Sequence, residues 1–198
     1  MMTGPRIAPV EPPYEAATEQ MLQKWMPPGS GIEPLRLFRT LAVHESLFGR
    51  MRPLGAGILG HGLLEPRLRE LMILRTCARC GAEYEWGVHA TFFGESVGLT
   101  AAEIDETVRG GAEAAVWSSR DLVVIRLADE LHDTAAISDA AFAELERHFT
   151  AAQVLELVIA GGWYHTISFV VNAAGVQPEP WAARFPATEP GYASQATG

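Results

Sequence analysis

Helix-start signals recur along the chain, and they constrain its fold more than any other sequence feature. Thr100-x-x-Glu103 and Thr150-x-x-Gln153 are capping boxes, in which the side chains at either end satisfy each other's orphan backbone N–H groups. Ser118 or Ser119 can cap a helix over Asp121–His132, and Ser138 one running to Phe149. Pro66 suits the first turn of a helix, where its missing N–H costs nothing. Apolar residues follow these starts at helical spacing: Leu68, Leu71, Met72 and Leu74 after Pro66, and Leu122, Ile125 and Leu127 after Asp121. Earlier, Ala16–Trp25 is a short amphipathic segment, and Leu35, Phe38, Leu41, Leu47, Phe48 and Met51 form a broad helical stripe over Leu35–Leu54. Gly81 is predicted to break the chain before a further segment, Ala82–Val97, which Gly98 would end. No segment shows strong strand alternation, so the expected fold is all-α, a bundle of about eight helices.

The ends differ from this middle. Residues 1–14 are proline-rich and are expected as an extended arm, 15–176 as the helical domain, and 177–198 as an irregular tail. Trp181, Phe185 and Tyr192 make the tail too apolar to be solvated, so it is expected to pack on its own domain or on a neighbouring subunit. The formal net charge of −9, with no long Lys/Arg cluster, argues against nucleic-acid binding. The longest apolar run, Val154–Val176, is interrupted by Glu156, Gly161, Gly162, His165 and Asn172. It therefore reads as a core helix and not a membrane span. The N-terminus has no apolar signal region, so a cytoplasmic setting with reduced thiols is expected.

Chemistry concentrates between Arg67 and Ile104. Glu85 and His89 are four residues apart and share a helix face. A carboxylate on one imidazole nitrogen fixes the tautomer and raises the basicity of the other. Glu70 lies one helix upstream, and a bend near Gly81 would bring it back towards the pair. Two buried carboxylates side by side would push at least one pKa towards neutrality. Tyr84, Trp86, Phe92 and Phe93 make the helix apolar on several sides, which favours a buried site over a solvated surface pair. Tyr84, Trp86 and His165 are candidates for lining a pocket.

Cys77 and Cys80 form a C-x-x-C pair near the end of their helix, where the dipole works against a thiolate. Two small buried residues are the simpler reading. A metal site from Glu70, Glu85 and His89, with His165, lacks a second His on the same face, so no metal is expected. His132, near a helix end, is read as structural.

The run RELMILR…YEW..H…GLTAAEI resembles the carboxymuconolactone decarboxylase family, which shares its fold with AhpD-type alkylhydroperoxidases. LADELHDTAAISDAAFAEL and ELVIAGGWYHTISFVVNAAGV resemble the C-terminal half of longer members, so the likeness covers about Leu35 to Val176. Peroxidase members carry a Glu, eleven residues, then C-x-x-C-x-x-x-H. Counted from Glu70, that frame falls on Ala82, Glu85 and His89, so the Glu and His match while both cysteines are replaced. Decarboxylase members carry Glu-x-x-x-His, which Glu85 and His89 match.

The resemblance implies an AhpD-like bundle that assembles as a homo-oligomer: a dimer, trimer or hexamer. It also implies a cofactor-independent lyase or isomerase acting on a small organic acid or lactone, with Glu70, Glu85 and His89 catalytic. His89 would move the proton, itself held by Glu85, and Glu70 would tune or share that proton. The alternatives are a thiol peroxidase using Cys77 and Cys80, and a non-catalytic oligomeric binding protein.

Overall fold

The computed structural model describes residues 4–27 and 31–187. Nine α-helices appear among them, with no strand: α1 Ala16–Gln23, α2 Arg36–Leu41, α3 Glu45–Gly60, α4 Pro66–Arg79, α5 Glu83–His89, α6 Ala101–Arg109, α7 Ser119–Thr134, α8 Asp139–His148 and α9 Ala151–Ala174. The expected all-α bundle is what forms. Both capping boxes are made, Ser118 makes a third with Asp121, and Ser138 caps α8.

Helix α4 is the axis of the bundle. It packs against α5, α6, α7 and α9, so Leu68, Leu71, Met72, Ile73, Leu74 and Cys77 are all buried. That position forces its polar residues to find partners. Arg75 reaches Asp129 at 2.6 Å and the Thr107 carbonyl at 2.8 Å. Arg67 joins Glu103 and Asp121, tying the first turns of α4, α6 and α7 together.

The turn after α4 sets the position of α5. Cys80 is the C-cap, and Gly81 takes φ +61°, a left-handed conformation that a side chain would strain. The Ala82 N–H donates to Cys77 O at 2.8 Å and the Gly81 N–H to Ala78 O at 3.0 Å, the two bonds of a Schellman motif. The chain reverses there and α5 folds back beside α4.

Two expected helices are broken. The stripe over Leu35–Leu54 is interrupted by a 3₁₀ turn at Ala42–His44. His44 Nδ1 then accepts from the Leu47 N–H, starting α3 anew. The segment Ala82–Val97 keeps α-geometry only to His89. A π-helical turn follows at Ala90–Gly94 and a 3₁₀ turn at Glu95–Val97. Such π turns are found mostly at functional sites.

Helix α9 is long and apolar enough to cross a membrane by length and composition. One stripe, Val154, Leu157, Ala160, Gly161, Tyr164, Ile167, Ser168 and Val171, is buried in the bundle. Leu155, Ile159 and Phe169 on its other side are exposed, so the expected core helix is buried on one face only.

The described parts of both arms pack on the domain. Arg6 and Ile7 donate backbone N–H bonds to Ala174 O, and Val10 donates to Arg39 O. The tail crosses α5 at Gly87, where a Cβ would sit 2.1 Å from Ala183 O. Phe185 lies edge-on to Trp86 and Trp181 against Phe92. Tyr192 lies outside the described residues.

Candidate active site

Glu70, in the first half of α4, is fully buried. The reversal at Gly81 sets α5 alongside it, so His89, at the end of α5, meets its carboxylate. His89 Nδ1 donates to Glu70 Oε2 at 2.7 Å. The other Glu70 oxygen accepts from Arg69 at 3.0 Å, and Arg69 is itself held by Leu59 O at 2.7 Å. Both oxygens of Glu70 are therefore committed. The second imidazole nitrogen, Nε2, lies 3.5 Å from Glu85 Oε1, one helical turn back. The three residues expected to form one site do come together. The close contact to His89, however, is made by Glu70 and not by Glu85.

A cavity of about 350 Å³ opens in front of this cluster, at the small end of ligand-sized cavities. Glu85, His89 and Tyr164 supply its titratable groups. Leu35, Leu37, Leu41, Leu59, Val88 and Ile167 supply aliphatic wall, and Trp25, Phe38, Phe92, Phe93 and Trp163 the rings. Tyr164 stands edge-on to His89, with ring centroids 5.0 Å apart, and Phe93 lies at the same distance. Glu70 does not line the cavity. It supports from behind.

The electrostatics follow from burial and charge. Burial by itself would lower the pKa of His89. The Glu70 charge, with hydrogen bonds to Glu70 and Glu85, overcomes that and pushes it up to about 9. The two carboxylates thus favour the imidazolium, the form that donates from both nitrogens. Burial, with the negative charges of Glu85 and Glu70, holds the Tyr164 phenol well above its usual value, so it stays an O–H donor.

The other pocket candidates lie elsewhere. The Tyr84 hydroxyl donates to Glu179 at 2.8 Å and accepts from the Leu37 N–H at 3.0 Å, clamping the tail to α2. Trp86 donates to Thr107 at 2.9 Å, tying α5 to α6. His165 faces away from the cavity: its Nδ1 donates to Gly161 O at 2.9 Å, and its Nε2 lies 3.1 Å from His132 Nδ1. The three are displaced for one reason. On a helix, neighbouring residues point about 100° apart, so Tyr84 and Trp86 flank the face that Glu85 presents, and His165 flanks Tyr164.

Cys77 and Cys80 do not line the cavity either. Cys77 is sealed in the core, where burial, then the Glu85 charge, pushes its thiol well above the usual range. Cys80 is half-buried, with its sulfur 3.7 Å from His132 Nδ1; burial raises its thiol pKa as well. Both shifts oppose the thiolate that peroxide chemistry requires.

Sequence reasoning missed Arg69 and Tyr164. Each adjoins a residue that was singled out, Glu70 and His165. A buried carboxylate's need for a counter-charge could have pointed to Arg69.

Solved structures with this fold come from several functions. A peroxidase-related protein from Silicibacter superposes with a TM-score of 0.76 at 15% identity, over 94% of this chain and 100% of that one. The debrominase Bmp8, captured as a Cys-to-Ala variant with 2,3,4-tribromopyrrole, gives 0.75 at 12% identity, over 90% and 94%. A peroxidase-related protein with an alkylhydroperoxidase AhpD core, from Ralstonia eutropha, gives 0.66 at 14% identity, over 88% and 93%. At such identities the likeness is one of fold. No curated protein sequence matches the chain significantly. The profile of the carboxymuconolactone decarboxylase family, in contrast, matches residues 46–147, a span holding Glu70, Glu85 and His89. With half of its length matched and an AhpD-like bundle around the matched residues, the chain belongs to the carboxymuconolactone decarboxylase family.

Proposed function

We propose that the protein is a cofactor-independent proton-transfer lyase or isomerase acting on a small, largely apolar organic acid or lactone. The observation that carries this reading is the His89 imidazole, held by Glu70 at 2.7 Å and 3.5 Å from Glu85, at the wall of an otherwise apolar cavity.

In this reading each group has one task. Glu85 takes a proton from carbon, or returns one to it. His89 donates from Nε2 to the carbonyl oxygen on which enolate charge builds, and an apolar surround makes that donation worth more than in water. Glu70 touches no substrate; it positions His89 and keeps it charged. The Tyr164 hydroxyl is a second donor to the same oxygen. For a decarboxylation, the C–C bond to the carboxylate breaks, its electron pair enters the conjugated carbonyl, CO₂ leaves, and the acid reprotonates carbon. Solvent then restores the proton. The apolar wall favours a substrate with one polar end.

The test is proton NMR in D₂O on a panel of unsaturated lactones, β,γ-unsaturated ketones and their carboxylic acids, reading deuterium entry at carbon or loss of CO₂. Turnover that E85Q and H89Q both abolish supports the reading. Turnover that both variants keep at the wild-type rate overturns it. Hydroperoxide consumption that C77S or C80S removes would install the thiol reading in its place.

We propose in addition that the chain self-associates through the exposed apolar side of α9, where Leu155, Ile159 and Phe169 lie. Light scattering at micromolar concentration checks this: a monomer contradicts it.

A further inference from the structure

Away from the cavity, three helices bring a thiol and two imidazoles together. Cys80 caps the end of α4, His132 lies in the last turn of α7, and His165 is in the middle of α9. One ligand-capable atom from each lies within 4.8 Å of the other two. His132 Nδ1 is 3.1 Å from His165 Nε2, and the Cys80 sulfur is 3.7 Å from His132 Nδ1. Around a tetrahedral zinc with metal–nitrogen bonds near 2.0 Å and a metal–sulfur bond near 2.3 Å, the corresponding separations are about 3.3 Å and about 3.5 Å. We propose that Cys80, His132 and His165 form a binding site for a zinc-type divalent cation.

Two further observations bear on it. His165 Nδ1 donates to Gly161 O at 2.9 Å, which leaves the lone pair on Nε2, the nitrogen that faces the cluster. A metal-binding imidazole is held in the same way, with its far N–H on a carbonyl. Cys80 is pinned too: the Asn172 side chain on α9 donates to its carbonyl at 2.8 Å, and the Schellman turn fixes its backbone. The His165 ring and the Cys80 backbone are thus held by bonds that do not involve the cation.

All three residues are half-buried, so a cation can reach them from solvent. One sulfur and two nitrogens suit zinc in preference to magnesium or calcium, which take oxygen. On binding, Cys80 loses its proton to solvent and becomes the thiolate ligand. The site shares no residue with the cavity, so it stands or falls separately from the proposed reaction.

The experiment uses untagged full-length protein. Zinc is titrated against a competing chelator, and Co²⁺ is used as an optical probe. We expect one zinc per chain and a thiolate-to-cobalt band in the near ultraviolet. C80S should lose the band, and H132A and H165A should lose tight binding, while H89Q keeps both. In wild-type protein, zinc should protect Cys80 from alkylation and a chelator should restore its reactivity, read by peptide mass spectrometry; this readout needs no variant to fold. No bound zinc, equal binding by wild type and the three variants, or Cys80 alkylated equally fast with and without zinc would each overturn the proposal.

Discussion

Two clusters of titratable side chains meet at α4, one where α5 packs along it and one where α7 and α9 reach its end, and they solve different problems. Glu70, Glu85 and His89 form a charged cluster in the interior: Glu70 is fully buried and the other two nearly so. Cys80, His132 and His165 are half-buried and need no counter-ion. Burial and the positive charge of Arg79 lower the His132 pKa, so it is neutral at pH 7. Tyr164 and His165 mark the divide. They are adjacent on α9, one facing the cavity and one facing the sulfur. A buried charge demands fixed partners on every side, which is why Arg69, Glu70 and His89 form a chain of short bonds. A cluster near solvent tolerates an open side.

The largest effect should come from the charged cluster. E85Q and H89Q should each lower turnover by roughly 10²–10⁴-fold, the usual reach of a positioned acid or base. Steady-state rates on any substrate found in the D₂O screen check this, and equal losses in H165Q would erase the distinction between the clusters.

Next is stability. E70Q leaves Arg69 and His89 facing a neutral amide, a loss on the order of 3 kcal/mol in denaturant melts. Its pH dependence has a definite sign. The pKa of His89 rises from an ordinary 6.5 to about 9 on folding. Its contribution is therefore complete below pH 6.5, declines as pH climbs, and is gone above about 9. Wild-type stability should fall across that window and E70Q should not. The rate should fall through pH 9 for the same reason, as the imidazolium loses its proton, and in E70Q that limb should move to lower pH.

A smaller effect is expected from Y164F, about tenfold in turnover, the scale of one neutral hydrogen bond. Zinc binding should be untouched. An unchanged rate would remove Tyr164 from the site and leave the imidazolium as the sole donor.

The smallest is C80S. Cys80 is half-buried and makes no ion pair, so its loss should cost under about 1 kcal/mol in the absence of metal. A collapse on the scale of E70Q would mean that the sulfur is part of the core.

How much of this was legible beforehand depends on how local the cause is. The starts of α6 and α9 were readable because a cap is a contact between residues three apart: Thr100 with Glu103, Thr150 with Gln153. The break within Leu35–Leu54 was not, because the residues there keep helical spacing and only the His44 cap restarts the chain. In the site, Glu85 and His89 were legible as neighbours one turn apart. The pocket wall was not, since Leu35, Leu59 and Ile167 come from three distant segments.

The sequence by itself determined the all-α class, the capped helix starts, the turn at Gly81 and the set Glu70, Glu85 and His89, because caps and helix faces depend on residues three or four apart. Only the tertiary structure decided which carboxylate holds His89. Packing α5 back onto α4 puts Glu70, nineteen residues away, 2.7 Å from Nδ1, while helical geometry leaves Glu85 at 3.5 Å. It also decided that Cys80 belongs with His132 and His165 instead of Cys77. The end of α4 turns that sulfur outward towards α7 and α9, and a contact across three helices has no trace in the spacing of any one.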